Sequence, residues 1–434
     1  MRMLCENIGV SGEGRLLFAG QEVSALAGIY GTPLYLVDED RVREKCRIFR
    51  EAFAKYFGSD AGVLYASKAN CFKRLLQIVQ EEGLGADVVS VGEIYTAQQA
   101  GFDLAKTYFH SNNKTDEDVR YAIQLGVGTF VADNREEIEA IEREAAAAGI
   151  IQEVLLRITP GIDPHTYAAV TTGMVDSKFG SAIETGQAEE MVRYALAQPH
   201  VRLMGFHCHL GSQVFAEDVF ERAARVMIGF MADMREKLGY TGRVLDLGGG
   251  YGVRYLESDP HLDIETKVCA VAQALKTACA AYAFPQPRVL MEPGRAIIAD
   301  AGMTLYTVGT VKKIPGYKNY VSVDGSMADA PRHALYGAKY TVYAADKMRE
   351  AADLTCSVVG RCCESGDIIT PDAVLPASVG RGDILAVAST GAYHHAMSSN
   401  YNRLPRPATV LLHGGRHELV IRGETLEDLL RCEL

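Results

Sequence analysis

Residues 63–83, VLYASKANCFKRLLQIVQEEG, decide the fold, because a short β-type run passes through a turn into a segment with helical periodicity. The same alternation continues to about residue 295. Eight β-type runs occur in it: VLYASKA, ADVVS, TYFHS, TFVAD, VLLRI, RLMGFHCHL, VLDLGGG and VLMEPGR. Strands that alternate with helices pair in parallel, and eight such units predict a (β/α)8 TIM-like barrel. Periodicity alone leaves an open doubly wound sheet as the alternative.

After residue 295 the pattern changes to short β-type runs without long helices between them, such as MTLYTVGTVKKI, LTCSVVG and ATVLLHG. This pattern predicts a β-sandwich or β-barrel-like domain. The first 35 residues also lack the barrel repeat. We therefore expect a barrel over residues 36–300 and a β-rich domain built from both chain ends, 1–35 and 301–434. The closing GETLEDLLRCEL predicts a short terminal helix.

Charge and cysteine content restrict the class of protein. The 434 residues carry 55 acidic and 44 basic side chains, a formal net charge of −11, which disfavours nucleic acid and anionic membranes as partners. The ten cysteines form no Cys-x-x-Cys pair, as expected for thiols in a reducing compartment. The N-terminus lacks the apolar core of a signal peptide, and no stretch reaches the roughly 20 apolar residues of a membrane helix. A cytoplasmic location is the expectation.

Polar residues and glycines follow several predicted strands at their carboxyl ends, where barrels collect their chemistry. They are Lys68, Asp87, His207, His209, Gly248, Gly249, Gly250, Glu292 and Arg295. Three consecutive glycines remove every Cβ from a turn and let backbone N–H groups approach a phosphate. The stretch is not a dinucleotide G-x-G-x-x-G motif, since its last position is Val253. By itself such a triplet is more often a tight turn.

Lys68 gains significance from these neighbours. A lysine at a strand end is ordinarily a solvated side chain, but a desolvated lysine can form a Schiff base with an aldehyde. A lysine, a phosphate-binding turn and a carboxylate such as Glu292 in one barrel mouth suit pyridoxal 5′-phosphate. The adjacent His394 and His395 are poor co-ligands, because neighbouring strand residues point to opposite faces, and no metal site is expected.

Nine motifs in order resemble the fold-type III pyridoxal-phosphate decarboxylases of the alanine racemase superfamily, and the similarity is nearly end to end. The motifs are YASKAN, ADVVSVGE, SKFG, HCHLGSQ, LDLGGGYG, EPGRAI, DAPRHALYGA, CCESGD and GAYHHAMSSNYNRLPRP. The resemblance implies that Lys68 forms the Schiff base with the cofactor. It also implies that His209 is a catalytic residue that stacks on the cofactor ring. The other cofactor-binding residues that it implies are Asp87, Ser212, Gly249, Gly250, Glu292, Gly294, Arg295 and Tyr393.

Within this family, the chain looks most like the members that act on diaminopimelate. The resemblance thus implies decarboxylation of meso-2,6-diaminopimelate to L-lysine and CO₂, the last step of lysine biosynthesis. Glu292 facing the ring nitrogen favours decarboxylation over racemisation. The resemblance also implies that Cys363 protonates the product across a homodimer interface, with Cys362 as the rival by adjacency.

Substrate choice depends on the second amino-acid head group. The resemblance implies that Arg295, Arg332 and Tyr336 bind the distal carboxylate, that Glu364 binds the distal amine, and that Tyr393 touches the substrate. His333 and Arg361 depart from the family pattern. Proline usually follows the arginine of the motif that reads DAPRHALYGA here, where His333 follows Arg332. The CESGD motif is commonly preceded by GPI, where this chain has Arg361. A related decarboxylase for carboxynorspermidine, ornithine or lysine is the alternative, and a non-catalytic cofactor-binding protein is a third possibility.

Overall fold

The structure is a computed structural model that describes residues 3–163, 173–216 and 218–434. The chain divides into two compact units. The barrel unit comprises Lys45–Gly252 and Leu262–Ala296, and the β-rich unit comprises Met1–Glu44, Val253–His261 and Ile297–Leu434.

The strands form the barrel and the two sheets of the β-rich unit. In chain order they are β1 Ile8–Val10, β2 Leu16–Phe18, β3 Gln21–Glu22, β4 Leu34–Asp38, β5 Gly62–Ala66, β6 Gly85–Val88, β7 Thr107–Phe109, β8 Thr129–Ala132, β9 Gln152–Thr159, β10 Ser181–Ala182, β11 Val201–His207, β12 Val244–Asp246, β13 Arg288–Met291, β14 Gly302–Ile314, β15 Lys318–Val323, β16 Val342–Ala344, β17 Ala352–Val359, β18 Ile368–Pro376, β19 Ile384–Ala388, β20 Ala408–His413 and β21 Arg416–Ile421.

Helices follow the barrel strands along the chain. The α-helices are α1 Val23–Tyr30, α2 Glu39–Phe57, α3 Lys73–Glu81, α4 Val91–Gln99, α5 Asp116–Leu125, α6 Arg135–Ala148, α7 Gln187–Leu196, α8 Val219–Leu238, α9 Ile264–Ala281, α10 Arg295–Ile298, α11 Arg332–Tyr336 and α12 Leu426–Leu430. Short 3₁₀ turns are formed by Ser67–Ala69, Leu104–Lys106, His395–Met397 and Tyr401–Arg403.

Eight strands of the barrel unit form a closed parallel sheet. The order around the ring is β5, β6, β7, β8, β9, β11, β12 and β13, and β13 pairs again with β5. Every neighbouring pair is parallel. The predicted (β/α)8 barrel is confirmed, and the open doubly wound sheet is excluded because such a sheet would leave two edges unpaired.

Local sequence signals set the helix ends in the barrel unit. At α5 the Thr115 hydroxyl accepts the backbone N–H of Asp118, and the Asp118 carboxylate accepts the backbone N–H of Thr115. This reciprocal cap stabilises a helix by about 1 kcal/mol. Helices α5 and α6 end at Gly126 and Gly149 with φ of 78° and 69°. These two glycines adopt the left-handed conformation that is typical of helix C-caps.

The strands of the barrel contribute to one apolar cluster. Six buried side chains from six strands form a cluster: Leu64, Tyr108, Val131, Leu155, Val244 and Leu290. Burying each such side chain contributes about 1.5–3 kcal/mol. The barrel is therefore a packed core whose polar groups are left for the strand ends.

The β-rich unit contains a three-stranded sheet, β1-β2-β3, and a larger mixed sheet with the path β18-β17-β15-β14-β4-β20-β21. Strand β19 pairs with β14 and β16. The predicted separate β-domain is confirmed. The predicted terminal helix is α12, capped by Thr425 and Asp428. Among the described residues, no helix combines the length and apolarity that crossing a membrane requires.

The two compact units differ from the expected limits at residue 36 and near residue 300. Strand β4 belongs to the β-rich unit, because it hydrogen-bonds to β14 antiparallel and to β20 in parallel. Val253–His261 also belongs to that unit, and Thr341 donates two hydrogen bonds to the carbonyl of Tyr255, one from its N–H and one from its hydroxyl. Long-range strand pairing of this kind leaves no local mark in the sequence.

A buried ion pair joins the helical layer of the barrel unit to its sheet. Nζ of Lys114 lies 2.6 Å from Oε1 of Glu137, and it also donates to the carbonyl of Val131 at 3.0 Å. The side chain of Lys114 is fully buried. Removing one partner would leave the other charge buried without compensation.

We expect Lys114→Met to lower the free energy of unfolding by about 3–5 kcal/mol, because Glu137 keeps its burial and loses its cation. Urea denaturation followed by circular dichroism measures this change. Lys237→Met is the matched control, since Lys237 pairs with Glu189 at 3.0 Å with half of its side chain exposed. Its effect should stay below about 1 kcal/mol. Equal losses in the two variants would contradict the assignment.

Candidate active site

Lys68 lies in the 3₁₀ turn that follows β5, and Asp87 lies in the neighbouring strand β6. Nζ of Lys68 is 4.0 Å from Oδ2 of Asp87. Asp87 is 1% exposed, whereas 40% of the Lys68 side chain is exposed. Burial raises the pKa of Asp87, and the lysine opposes part of this shift. The first strand of the barrel, β5, is thus followed by a lysine whose amine faces a buried carboxyl group on the next strand.

Glu292 follows β13 and lies between two buried histidines. Its Oε1 is 2.7 Å from Nε2 of His110, and its Oε2 is 3.2 Å from Nε2 of His207. Burial alone would raise the pKa of Glu292, but the two imidazoles outweigh it and hold this pKa well below its usual value. Burial lowers the pKa of His207 to about 4. Glu292 is therefore a carboxylate at neutral pH.

Asp246 ends β12 and is fully buried beside Glu292. Burial, followed by the proximity of Glu292, raises its pKa well above the usual value. Its Oδ1 accepts the backbone N–H of Gly248 at 2.9 Å. The two neighbouring acids are thus differentiated, because the pKa of Glu292 is lowered and that of Asp246 is raised.

The glycine triplet after β12 is packed too closely for any side chain. A Cβ on Gly249 would lie 2.1 Å from the carbonyl oxygen of Glu292, and one on Gly250 would lie 2.1 Å from that of Gly211. Gly250 also has a φ of 110°. The backbone N–H of Gly249 donates to Nδ1 of His209 at 3.2 Å. This contact fixes the tautomer of His209 with its proton on Nε2.

Ser212 and Arg295 meet beside this turn. The Arg295 guanidinium donates from Nε and Nη2 to the Ser212 hydroxyl at 3.2 and 2.8 Å. A Cβ on Gly294 would lie 2.8 Å from the carbonyl oxygen of Ala66. The loops after β11, β12 and β13 therefore come together, and they bring a guanidinium, a hydroxyl and glycine backbone close to one another.

Arg332 begins α11 in the β-rich unit and is surrounded by tyrosines. Its guanidinium lies 4.9, 5.9 and 6.0 Å from the ring centres of Tyr255, Tyr340 and Tyr393. Nη1 donates to the hydroxyl of Tyr340 at 2.7 Å, and Nε has no hydrogen-bond partner among the described residues. Burial would lower the pKa of Arg332, but the tyrosines outweigh it and raise the pKa. Arg332 is therefore a buried cation surrounded by tyrosines.

The remaining predicted residues also lie in the β-rich unit. Cys363 is exposed, and its backbone N–H donates to Asn402 at 2.8 Å. Cys362 is buried, and burial raises the pKa of its thiol. Glu364 is exposed, and its Oε1 accepts the N–H of Gly366 at 3.1 Å.

Tyr336 ends α11, one turn beyond Arg332, and is half-buried. The departure His333 bonds to the carbonyl of Ala338 at 2.8 Å through Nδ1. The other departure, Arg361, is exposed.

Three polar residues of the barrel mouth were not singled out from the sequence as site residues. His110 follows β7, Asp246 ends β12, and Arg157 lies in β9 with its guanidinium 4.2 Å from the ring centre of Phe179. The rule that selected Lys68, a polar residue at the end of a β-type run, would also have selected His110. No local sequence signal identifies Arg157, because its position near Glu292 and Asp87 results from closure of the barrel.

Comparisons with known proteins agree with this arrangement. Residues 39–299 match the family model of the pyridoxal-dependent decarboxylase, pyridoxal binding domain. The diaminopimelate decarboxylase of Bacillus subtilis (strain 168) is 44% identical over 97% of this chain and 95% of the relative. That of Staphylococcus aureus (strain COL) is 41% identical over 96% and 97%. The chain belongs to the pyridoxal-dependent decarboxylases.

A solved structure from this family also matches. The diaminopimelate decarboxylase of M. jannaschii in co-complex with L-lysine superimposes with a TM-score of 0.90, at 30% identity, over 99% of this chain and 98% of that one. The expected membership of the fold-type III decarboxylases is confirmed, and the protein is a carboxy-lyase whose cofactor is pyridoxal 5′-phosphate.

The residues of the barrel mouth fit this cofactor. A phosphate group suits the Ser212 hydroxyl, the Arg295 guanidinium and the glycine backbone, where a side chain would fill the space. Both carboxylate oxygens of Asp87 are buried without a hydrogen-bond partner among the described residues. Such orphaned acceptors are rare unless a further group supplies a donor.

We expect Gly250→Ala to weaken binding of pyridoxal phosphate by about 10- to 100-fold, because the new Cβ displaces the segment that carries Ser212. Fluorescence titration of the apoprotein with the cofactor measures this. Gly239→Ala is the control, since Gly239 also has a positive φ of 68° but no atom within 4 Å of the added Cβ. It should lower stability by about 1 kcal/mol and leave cofactor affinity unchanged. Equal loss of affinity in both variants would refute the phosphate assignment.

Proposed function

We propose that this chain decarboxylates meso-2,6-diaminopimelate to L-lysine and CO₂, the last step of lysine biosynthesis, in the cytoplasm. The observation that carries the proposal is the sequence identity of 41–44% to diaminopimelate decarboxylases across nearly the whole chain. The buried arginine of the β-rich unit supports it, because a substrate with a second carboxylate can neutralise Arg332.

The barrel unit would hold the cofactor. Lys68 would bind its aldehyde, His209 would lie against its ring, and Glu292 would face the ring nitrogen. Its phosphate would lie among Ser212, Gly249, Gly250, Gly294 and Arg295. Asp87 would hold the Lys68 amine, from which it is 4.0 Å away, and Tyr393 would contact cofactor and substrate. When bound, pyridoxal phosphate supplies an electron-withdrawing ring conjugated to the substrate amine.

Glu292 directs the reaction toward loss of CO₂. Its carboxylate is ionised and buried, so it can stabilise a positive charge on a ring nitrogen in surroundings that screen it little. A neutral side chain at this position would not stabilise that positive charge. The charge on this one side chain therefore favours decarboxylation over racemisation.

Cys363 would deliver the proton that replaces the carboxyl group at Cα. Its side chain is exposed, while that of Cys362 is buried, so Cys363 is the thiol that can reach a substrate. We propose a homodimer in which Cys363 and Glu364 of one chain serve the site of the other.

The distal head group of the substrate would be recognised by charge. Arg295, Arg332 and Tyr336 would bind its carboxylate, and Glu364 would bind its amine. Arg332 is held by a hydrogen bond to Tyr340 and by the ring of Tyr255, so it is already oriented before substrate arrives. A substrate without the second carboxylate would leave this guanidinium buried and unpaired. We expect the enzyme to discriminate against such a substrate by 10³-fold or more, which corresponds to about 4 kcal/mol.

We expect Lys68→Ala to lose both the visible absorbance of bound cofactor and CO₂ release from diaminopimelate, because the covalent attachment is gone. Lys73→Ala, a change of an exposed lysine at the start of α3, should keep both. Cys363→Ala should keep the absorbance and lose turnover, whereas Cys362→Ala should retain activity.

Mixing inactive Lys68→Ala and Cys363→Ala chains should restore about a quarter of the activity, because half of the dimers are mixed and each carries one intact site. A mixture that stays inactive, with dimers demonstrated by light scattering, would refute the shared site. Wild-type protein that binds cofactor but releases no CO₂ from diaminopimelate would refute the function.

We expect Arg332→Met to weaken inhibition by L-lysine by about 100-fold and Tyr340→Phe by about 10-fold, because the first removes the cation and the second one of its supports. Cadaverine has no carboxylate and should inhibit all three proteins equally. Tyr317→Phe, at a 90% exposed side chain, is the control variant. Parallel losses for L-lysine and cadaverine would show that Arg332 does not bind the carboxylate.

A further inference from the structure

We propose that His110 and His207 are positioning residues that together hold the Glu292 carboxylate in the direction and charge state needed to pair with the ring nitrogen of the cofactor. The inference rests on the proposed assignment of Glu292 to that nitrogen. It adds two residues to the site that the motifs of the sequence do not assign.

The geometry places one imidazole on each oxygen of the carboxylate. Nε2 of His110 is 2.7 Å from Oε1, and Nε2 of His207 is 3.2 Å from Oε2. The two rings meet edge to face, with centres 4.8 Å apart and planes at 71°. Rotation of the Glu292 side chain would break at least one of these contacts. The carboxylate plane is thus fixed from two sides.

Chemistry fixes the direction of the hydrogen bond between His207 and Glu292. An ionised carboxylate only accepts, so His207 must donate from Nε2 in its hydrogen bond to Oε2, while His110 approaches Oε1 at ion-pair distance. Nδ1 of His207 has no hydrogen-bond partner among the described residues, which agrees with a neutral ring that carries its proton on Nε2. His207 therefore supplies an N–H group and no positive charge that would repel a protonated ring nitrogen.

The histidines also select which acid of the barrel mouth is ionised. Asp87, Asp246 and Glu292 are all buried, and burial disfavours charge on each of them. His207 donates a hydrogen bond to Oε2 of Glu292 and Nε2 of His110 lies 2.7 Å from Oε1, whereas Oδ1 of Asp87 lies 3.8 Å from His110 and Asp246 faces Glu292 itself. Without the histidines, the three acids would compete for the charge and Glu292 would lose its advantage.

The test compares binding of pyridoxal phosphate with that of its 1-deaza analogue, in which carbon replaces the ring nitrogen. Apoprotein affinities for both are measured by fluorescence titration, independently of turnover. In the wild type we expect the nitrogen to strengthen binding by about 10- to 100-fold, the range for a hydrogen bond to a charged group. In His207→Leu and His110→Leu this ratio should fall to about one-tenth of the wild-type value or lower.

Matched variants separate positioning from mere packing. His207→Asn and His110→Gln keep an N–H donor and should recover much of the ratio. His200→Leu removes a similar histidine–glutamate contact of 2.7 Å, to Glu142, outside this cluster, and should leave the ratio unchanged. Circular dichroism melting verifies that each variant is folded.

The outcomes distinguish this inference from the proposed function. A wild type that binds both cofactors equally would refute the assignment of Glu292, whereas a wild-type ratio preserved in both leucine variants would overturn the role of the histidines. If the leucine variants do not fold, ¹⁵N histidine spectra of the wild type decide. Besides His209, which would lie against the ring, two of the eleven histidines, His110 and His207, should shift when the deaza analogue replaces the cofactor, and unchanged signals of these two would overturn the proposal.

Discussion

Burying the carboxylate of Glu292 at the strand ends of the barrel removes an ion from water, and the surrounding residues offset that cost. His207 donates to one of its oxygens, Nε2 of His110 lies 2.7 Å from the other, and burial raises the pKa of the neighbouring Asp246. The anion is thus maintained in surroundings of low polarity, where its attraction for a cation is stronger than in water. The proposed role of Glu292 toward the ring nitrogen of the cofactor depends on that retained charge.

Close approach of backbone segments is the second constraint on the site. The glycine turn after β12 touches the carbonyl groups of Gly211 and Glu292, and Gly294 touches that of Ala66. Every one of these contacts excludes a side chain, so the loops after successive strands converge. The same packing that leaves room for a phosphate also fixes Glu292 relative to Lys68, because they follow the adjacent strands β13 and β5.

The β-rich unit applies the same principle to an opposite charge. Arg332 is buried like Glu292, but it is supported by tyrosine rings and one hydroxyl instead of by ions. Aromatic rings hold a guanidinium without neutralising it, so its charge stays available to an incoming carboxylate. In the proposed function, substrate recognition and cofactor activation both depend on a buried, preoriented charge, Arg332 in the β-rich unit and Glu292 in the barrel unit.

The sequence alone determined the barrel, the β-rich domain, the terminal helix and the family, because periodicity, glycine caps and ordered motifs are local properties of the chain. It also singled out Lys68 and Glu292, since each ends a β-type run. Tertiary structure decided that β4 pairs inside the β-rich unit, that His110 and His207 share Glu292, and that tyrosines surround Arg332. These contacts join residues far apart in the chain, and only the closed barrel and the folded sheets bring them within bonding distance.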